Sequence, residues 1–185
     1  ISPQTLLMAF SMMGGFWAPE LKYAGYDKVI FRGKSPDLVY LWINNDKVEI
    51  RDASHLKGKG AVETEELIRQ ELNEPKAQVA SVGLAGENRV YFASIEQGRS
   101  SASRGGIGAV MGDKGLKAIA VRGTKAITLA HPEKYLSIAE ERHKQLSDNP
   151  CVQDVQKHGM AYMLEGFGKI RVGPDGLVEA NQHDL

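Results

Sequence analysis

The sequence predicts an α+β domain built on a duplicated β/α unit. Three observations carry that expectation. First, a Gly-Gly pair, a short helical segment, three apolar residues and Arg-Gly occur twice in that order. Gly14-Gly15 leads to Val29-Ile30-Phe31-Arg32-Gly33, and Gly105-Gly106 leads to Ile119-Ala120-Val121-Arg122-Gly123. Self-similarity of this kind signals duplication. Two such copies are expected to lie around a pseudo-twofold axis with mixed β-sheets. Second, Leu38 to Ile43, the polar Asn44-Asn45-Asp46 and Lys47 to Arg51 read as a hairpin. Third, Ala61 to Leu72 carries apolar residues at helical spacing.

Taken in order, Ser2 to Phe10 reads as a strand or extended entry to the first glycine pair. Pro19 suits the first turn of the next helix, where its missing N–H is no loss, and Gly25 ends that helix. Lys28 to Arg32 reads as a strand and Gly33 to Asp37 as a turn around Pro36. In the hairpin, Val39, Leu41 and Ile43 share one face and Tyr40 and Trp42 the other. A strand apolar on both faces is buried on both, or covered by protein beyond this chain. The following helix turns Val62, Leu67, Ile68 and Leu72 inward. Its Glu63, Glu65 and Glu66 suit the positive end of the dipole and read as a solvated face rather than a metal site.

Ala77 to Val82 and Arg89 to Ile95 read as strands flanking G-L-A-G-E-N. Glu87 and Asn88 there either support the glycine-rich loop or touch a ligand. Thr128 to Ala130 closes the second repeat, and His131-Pro132 opens a helix reaching Ser147, broken by Asp148-Asn149-Pro150. Gly166 to Leu185 reads as a polar, glycine-rich tail with a turn at Pro174-Asp175-Gly176. The chain thus divides into residues 1–130, a helical segment 131–165 and a tail 166–185.

Composition narrows the function. With 185 residues and 42% apolar content, the chain can bury one real core. Its 23 Lys+Arg balance 23 Asp+Glu, so no global field draws it to nucleic acid or an acidic membrane. The longest apolar run, Leu6 to Met13, is interrupted by Ser11 and is too short to span a bilayer. The start shows no basic segment or cleavage site of a signal peptide. The lone Cys151 allows no internal disulfide and no cysteine-held cluster within the chain, and fits a reducing cytoplasm. The histidines at 55, 131, 143, 158 and 183 lack ligand spacing, and His55 reads as a structural donor.

Chemistry concentrates between Arg99 and Gly123. Glycines at 105, 106 and 108 let the backbone approach a neighbour closely, because no Cβ intervenes. A helix after them would aim free N–H groups toward Arg104. Two guanidiniums, Arg99 and Arg104, beside such donors make an anion site suited to phosphate. A ligand-free glycine-rich turn packed on a sheet fits the same residues. The second glycine pair favours the anion reading, since two such units can address one ligand or two linked ones.

Five motifs carry a family resemblance: S-P-Q-T, M-M-G-G-F-W-A-P-E-L-K-Y-A-G-Y-D, V-E-I-R-D-A-S-H-L, G-L-A-G-E-N and R-G-G-I-G-A-V-M-G-D-K-G-L-K-A-I-A-V-R-G-T. Together, from about Ser2 to about Lys125, they resemble the N-terminal domain of tungsten-containing aldehyde ferredoxin oxidoreductases. The resemblance implies that family's α+β domain, which forms a base beneath a tungsten held by two pterins (tungstopterin). It also implies a magnesium ion joining the pterin phosphates and a [4Fe–4S] cluster whose ligands lie outside this chain. By motif, Gly14, Gly15, Arg99, Ser103, Arg104, Gly105 and Gly106 are the expected cofactor contacts. The backbone carbonyls of Met12 and Ser101 are the expected magnesium ligands. The family's Asn-Ser-Gly-Gly is Met-Met-Gly-Gly here, which a carbonyl ligand survives and a side-chain contact does not. The family's loop has one residue more before Arg104, so Arg99 corresponds to its phosphate arginine only if the gap follows it.

The function so implied is oxidation of aldehydes to acids with ferredoxin, or another electron-transfer subunit, as acceptor. The alternative within the family is the active-site subunit of a tungsten enzyme that reduces aromatic acyl-CoA thioesters. A non-catalytic phosphate- or pterin-binding module is the alternative of another class. No residue is assigned to catalysis. The chain is expected to be a piece of a larger cytoplasmic enzyme, inactive alone, with no nucleic-acid or membrane partner and with room for a homo-oligomer.

Overall fold

The computed structural model describes residues 1–159 together with Ile170–Val172 and Val178–Ala180. It divides into two compact units, Ile1–Ile127 and Thr128–Leu185. The first holds a six-stranded mixed sheet in the order β2-β1-β6-β3-β4-β5. Its strands are β1 (Val39–Asn44), β2 (Lys47–Asp52), β3 (Gln78–Ser81), β4 (Ile95–Gln97), β5 (Ser100–Ala102) and β6 (Leu116–Arg122). Its helices are α1 (Trp17–Ala24), α2 (Ala61–Leu72), α3 (Leu84–Glu87) and α4 (Ile107–Asp113), with a single 3-10 turn at Ser54–Leu56.

β1 pairs parallel with β6 and antiparallel with β2, whose hairpin turns at Asn45-Asp46 with Asn45 in the left-handed region (φ 52°). As the alternation requires, β1 is buried on both faces. Tyr40 and Trp42 join Leu56, Ile68, Ala77, Val79, Ala118 and Ala120 beneath α2. Leu41 and Ile43 join Leu21, Ala24 and Val121 beneath α1. Tyr40 is fully buried, and its hydroxyl donates to Glu71 Oε1 at 2.6 Å. His55 meets the other oxygen of that carboxylate at 3.1 Å, the structural place expected for it.

α1 ends where Gly25 takes φ 101°, and the N–H groups of Gly25 and Tyr26 close on Lys22 and Leu21. That geometry is the left-handed stop that glycine supplies at low cost. α2 turns Ile68 fully inward, with Leu67 and Leu72 half-buried, but Val62 stays exposed. Thr64 and Glu65 are buried in its place. Glu65 is no solvated residue. Its carboxylate pairs with Arg69 at 2.6 Å and accepts the Gly98 N–H at 3.0 Å.

Four further expectations change. Ser2 to Phe10 is no strand: Ser2 N–H meets Leu7 O at 2.8 Å, and Leu6 turns to φ 60° to close the loop. Arg89 to Ser94 forms turns, and the strand begins only at Ile95. Lys28 to Arg32 is not in the sheet. The repeat therefore covers the glycine pair and its helix and stops there: β6 follows α4, while nothing in the sheet follows α1. In the sheet, β6 lies between β1 and β3. Val29 and Phe31 instead pack over Leu41, Ile43 and Val121, leaving Ile30 exposed. Among the described residues of this unit there is one mixed sheet, with no second strand to relate to β6 by an axis.

The second unit begins with α5 (Pro132–Ser147) and α6 (Pro150–His158), capped by Asn149, whose side-chain oxygen accepts the Cys151 N–H at 2.9 Å. Ile170–Val172 and Val178–Ala180 pair antiparallel as β7 and β8. The turn expected at 174–176 lies outside the described residues. No helix among the described residues is long and apolar enough to cross a membrane.

Two stability outcomes follow from this packing. A Cβ on Gly112 of α4 would lie 1.9 Å from the Gly86 carbonyl oxygen. Helix propensity favours alanine by about 1 kcal/mol, but forced overpacking costs about 1–3 kcal/mol. Backbone cannot step aside as a flexible side chain would, so Gly112→Ala should lower the melting temperature. Thermal unfolding measures this, and an unchanged or raised value would contradict the contact. Tyr40 is pushed up to about 12, first by burial and then by its bond to Glu71. Its neutral form is favoured by the fold, so that stability is complete below pH 10 and lost as pH rises through 10 toward 12. Denaturant titrations should show a decline of about 2–3 kcal/mol across that window, absent in Tyr40→Phe.

Candidate functional site

The chain before α1 is shaped by a buried serine. Ser2 Oγ accepts the N–H groups of Gln4 and Thr5 at 3.1 and 3.2 Å, curling the segment into a loop. The loop then lies along the stretch containing the second glycine pair. Ser11 Oγ accepts the Arg104 N–H at 3.1 Å. Four residues later, an added Cβ on Gly15 would sit 3.3 Å from Ser100 Oγ, and one on Gly14 3.5 Å from it. Residues 11–15 thus run antiparallel to residues 104–100. That places Met12 and Met13 abreast of Ser101, Ala102 and Ser103.

The second pair is wedged tightly. A Cβ on Gly106 would lie 1.8 Å from Tyr91 O and 2.9 Å from Pro3 Cγ, and Gly106 also takes φ 64°. Only glycine fits there. The first pair is seated on the β4–β5 hairpin, where Gln97 Oε1 accepts the Phe16 N–H at 3.2 Å. That bond caps α1 from a distant strand, so the start of α1 faces an amide oxygen.

Every candidate residue named from the sequence falls in this one region. Met12, Gly14, Gly15, Arg99, Ser101, Ser103 and Arg104 are exposed, Gly105 is half-buried and Gly106 is buried. Arg99 sits in the turn of the β4–β5 hairpin and Arg104 two residues past β5. The two arginines bracket β5, each beside one glycine pair. Arg99 stands at the Gly14-Gly15 end and Arg104 at the Gly105-Gly106 end. Three strand residues, Ser100–Ala102, and Ser103 separate them in the chain.

Gly14, Gly15 and both guanidiniums are exposed, Gly105 is half-buried and Gly106 is buried. Among the described residues no acceptor meets the N–H groups of Gly14, Gly15, Gly105 or Gly106, and no acid or acceptor meets either guanidinium. The acids that could have claimed Arg104 are engaged elsewhere. Asp113 pairs with Lys34 at 3.2 Å and Arg89 at 3.4 Å, which holds its carboxyl below the usual range. Glu87 pairs with the fully buried Lys117 and accepts the Gly58 N–H at 2.9 Å. It supports a loop, although the loop is that of Gly58 rather than the Gly105-Gly106 turn. α4 has seven residues, so the arginines and free N–H groups carry the electrostatics more than a helix dipole does.

This donor set suits phosphate oxygens. Among the described residues there is no cluster of three His, Cys, Asp or Glu that could hold a metal. Sequence reasoning missed Ser11, Gln97 and Glu65. None carries a local signal, because each acts on a residue far along the chain.

A family model, "Aldehyde ferredoxin oxidoreductase, N-terminal domain", matches residues 1–123. The chain belongs to the aldehyde ferredoxin oxidoreductase family. The tungsten-containing aldehyde ferredoxin oxidoreductases of Pyrococcus furiosus and Thermococcus kodakarensis are 43% and 44% identical to it over 165 residues. Each alignment covers 88% of this chain and 27% of the relative, so the chain spans about a quarter of those proteins. A solved structure titled "Active site complex BamBC of Benzoyl Coenzyme A reductase in complex with 1,5 Dienoyl-CoA" contains a chain 77% identical to this one. It superposes with a TM-score of 0.78 over 79% of this chain and 22% of that one. Leu6, Leu7, Met8, Phe10, Met12 and Phe16, all on the segment that leads into the first glycine pair and α1, are exposed.

The unpartnered guanidinium gives a clear expectation for the protein without ligand. Arg104→Ala should change stability by no more than about 0.5 kcal/mol, as for a surface residue without partners. A larger loss in thermal unfolding would show that Arg104 holds the fold.

Proposed function

We propose that the protein containing this chain is the active-site subunit of a tungsten-dependent aromatic acyl-CoA reductase of the benzoyl-CoA type. The observation that carries this reading is the 77% identity to a chain of the benzoyl coenzyme A reductase complex, against 43% to the tungsten-containing aldehyde ferredoxin oxidoreductase of Pyrococcus furiosus. Oxidation of aldehydes with ferredoxin is the competing chemistry within the family. An acyl-CoA thioester is the substrate class and an electron-transfer subunit the partner.

In this reading the chain holds a tungsten bis-pterin cofactor by its phosphates. Arg104, Ser103 and the Gly105-Gly106 backbone take one phosphate, and Arg99 with Gly14 and Gly15 takes the other. The two positions bracketing β5 support a ligand with two linked anionic groups. Carbonyl oxygens of Met12 and Ser101, which lie on neighbouring segments, would be the ligands this chain offers a magnesium ion. When bound, the cofactor supplies the two-electron redox chemistry, with a [4Fe–4S] cluster ligated by residues outside this chain. The contribution of this domain is binding and orientation. The arginines would neutralise the phosphates, and the unpaired N–H groups of the glycine turns would add donors beside them.

Metal analysis and substrate assays on the natively purified full-length protein test the proposal. Tungsten and iron should be present, and 1,5-dienoyl-CoA or benzoyl-CoA should turn over where simple aldehydes do not. Turnover of aldehydes alone would move the function to aldehyde oxidation, and absence of both tungsten and molybdenum would overturn both readings. Arg104→Ala should reduce pterin and tungsten content, because a charge-assisted contact is worth about 1.5–3 kcal/mol. Arg104→Lys should restore it in part, since an ammonium cannot form the two-pronged contact. Full cofactor content in Arg104→Ala would remove Arg104 from the site.

A further inference from the structure

Gln97 is the last residue of β4 and is 5% exposed, an unusual place for a polar side chain. Both ends of its amide are used. Oε1 accepts the Phe16 N–H at 3.2 Å, and Nε2 donates to Gln78 Oε1 on β3 at 3.0 Å. The Phe16 N–H can meet only an oxygen, so the amide has one productive orientation, and Gln78 holds it there. The space beside Oε1 is filled by Gly15, where an added Cβ would fall 2.2 Å away. The next residue, Gly98, is fixed from the opposite side by the buried Glu65 carboxylate of α2 at 3.0 Å. Gln97 therefore stands where three things meet: the first glycine pair, the sheet, and the hairpin that runs through Arg99 and β5 to Arg104 and the second pair.

We propose that Gln97 is a positioning residue that couples the two glycine pairs, so that loosening its amide loosens both anion positions together. The ligand half of this inference rests on the phosphate-holding role proposed above; the coupling half does not. A residue that only capped α1 would affect the first pair alone. The second pair has its own link to the first, Ser11 Oγ to the Arg104 N–H. Displacement of the 11–16 segment therefore carries to Arg104 directly. Among the described residues these two bonds are the hydrogen bonds joining residues 11–16 to residues 97–106.

The test uses the full-length protein with Gln97→Met, which keeps length and removes both bonds, and Gln97→Glu, which keeps an oxygen for Phe16 N–H. Hydrogen–deuterium exchange is read in peptides covering 11–18, 98–106 and the hairpin 39–52, beside pterin and tungsten content. In Gln97→Met, exchange should rise about tenfold or more in both 11–18 and 98–106 and stay unchanged in 39–52. Cofactor content should fall to half or less. Gln97→Glu keeps the acceptor for the Phe16 N–H but loses the donor to Gln78, so exchange in 11–18 should rise less than in Gln97→Met, with 98–106 and the cofactor content following 11–18. If Gln97→Met does not fold, Gln97→Glu decides: faster exchange in 98–106 alone, with 11–18 protected, overturns the coupling. Faster exchange in Gln97→Met confined to 11–18, or absent from both loops, overturns it as well. Wild-type protein lacking pterin would sink the cofactor reading while the exchange data still judge the coupling.

Discussion

The parallel pairing of β1 with β6 is the constraint on which the rest depends. Strands paired in parallel cannot be joined by a hairpin, so the chain between them must travel around the sheet and return. Here that excursion runs from Asn44 to Leu116 and builds α2, β3, the β4–β5 hairpin and α4 on the way. Because β1 and β6 lie in the interior of the sheet order, both faces need cover. α2 supplies it over Tyr40 and Trp42, and α1 over Leu41 and Ile43. Small side chains at Ala118 and Ala120 make room for the large ones of β1 on the α2 face.

The candidate site is a by-product of how that excursion ends. β4 and β5 extend the sheet by a short hairpin and leave the chain at its edge, where Arg99 and Arg104 face solvent. From there α4 must fold back tightly to deliver β6. It does so over glycines, with Gly106 against Tyr91 and Gly112 against Gly86. The N-terminal loop then fills the remaining side and brings the first glycine pair alongside. Two donor groups from opposite ends of the domain become neighbours without any of their residues pairing with an acid. An arginine without an acidic partner has no ion pair to break before it meets an anion, which is why the proposed phosphate role falls on Arg99 and Arg104.

The two Arg-Gly sequences of the repeat show how like motifs acquire unlike roles. Arg122 pairs with Glu20 at 2.6 Å, and Gly123 lies so close to α1 that a Cβ would sit 2.2 Å from Ala24 N. That pair fastens α1 to the end of β6. Gly33, by contrast, has open space around it, and Arg32 lies exposed on a segment outside the sheet. The resemblance in sequence is real at the glycine pairs and helices, whereas the apolar segment after the first helix packs on the face of the sheet instead of joining it.

By itself the sequence determined the elements whose causes are local. The β1–β2 hairpin follows from alternation and a polar turn, α2 from its periodicity, and the end of α1 from Gly25. The two glycine pairs, Arg99 and Arg104 were legible because residue type alone states what they can do. The tertiary structure decided whatever depends on a distant partner. Val29 to Phe31 has the composition of a strand but packs its side chains over Leu41, Ile43 and Val121 on the face of the sheet. Glu65 has the look of a solvated glutamate but meets Gly98 and Arg69 inside the fold. Gln97 and Ser11 carry no signal of their own, because hydrogen bonds to residues 81 and 93 positions away exist only once the chain has closed on itself. Periodicity and residue chemistry are properties of a stretch of chain, whereas register at an edge and a partner for a buried amide are properties of the whole fold.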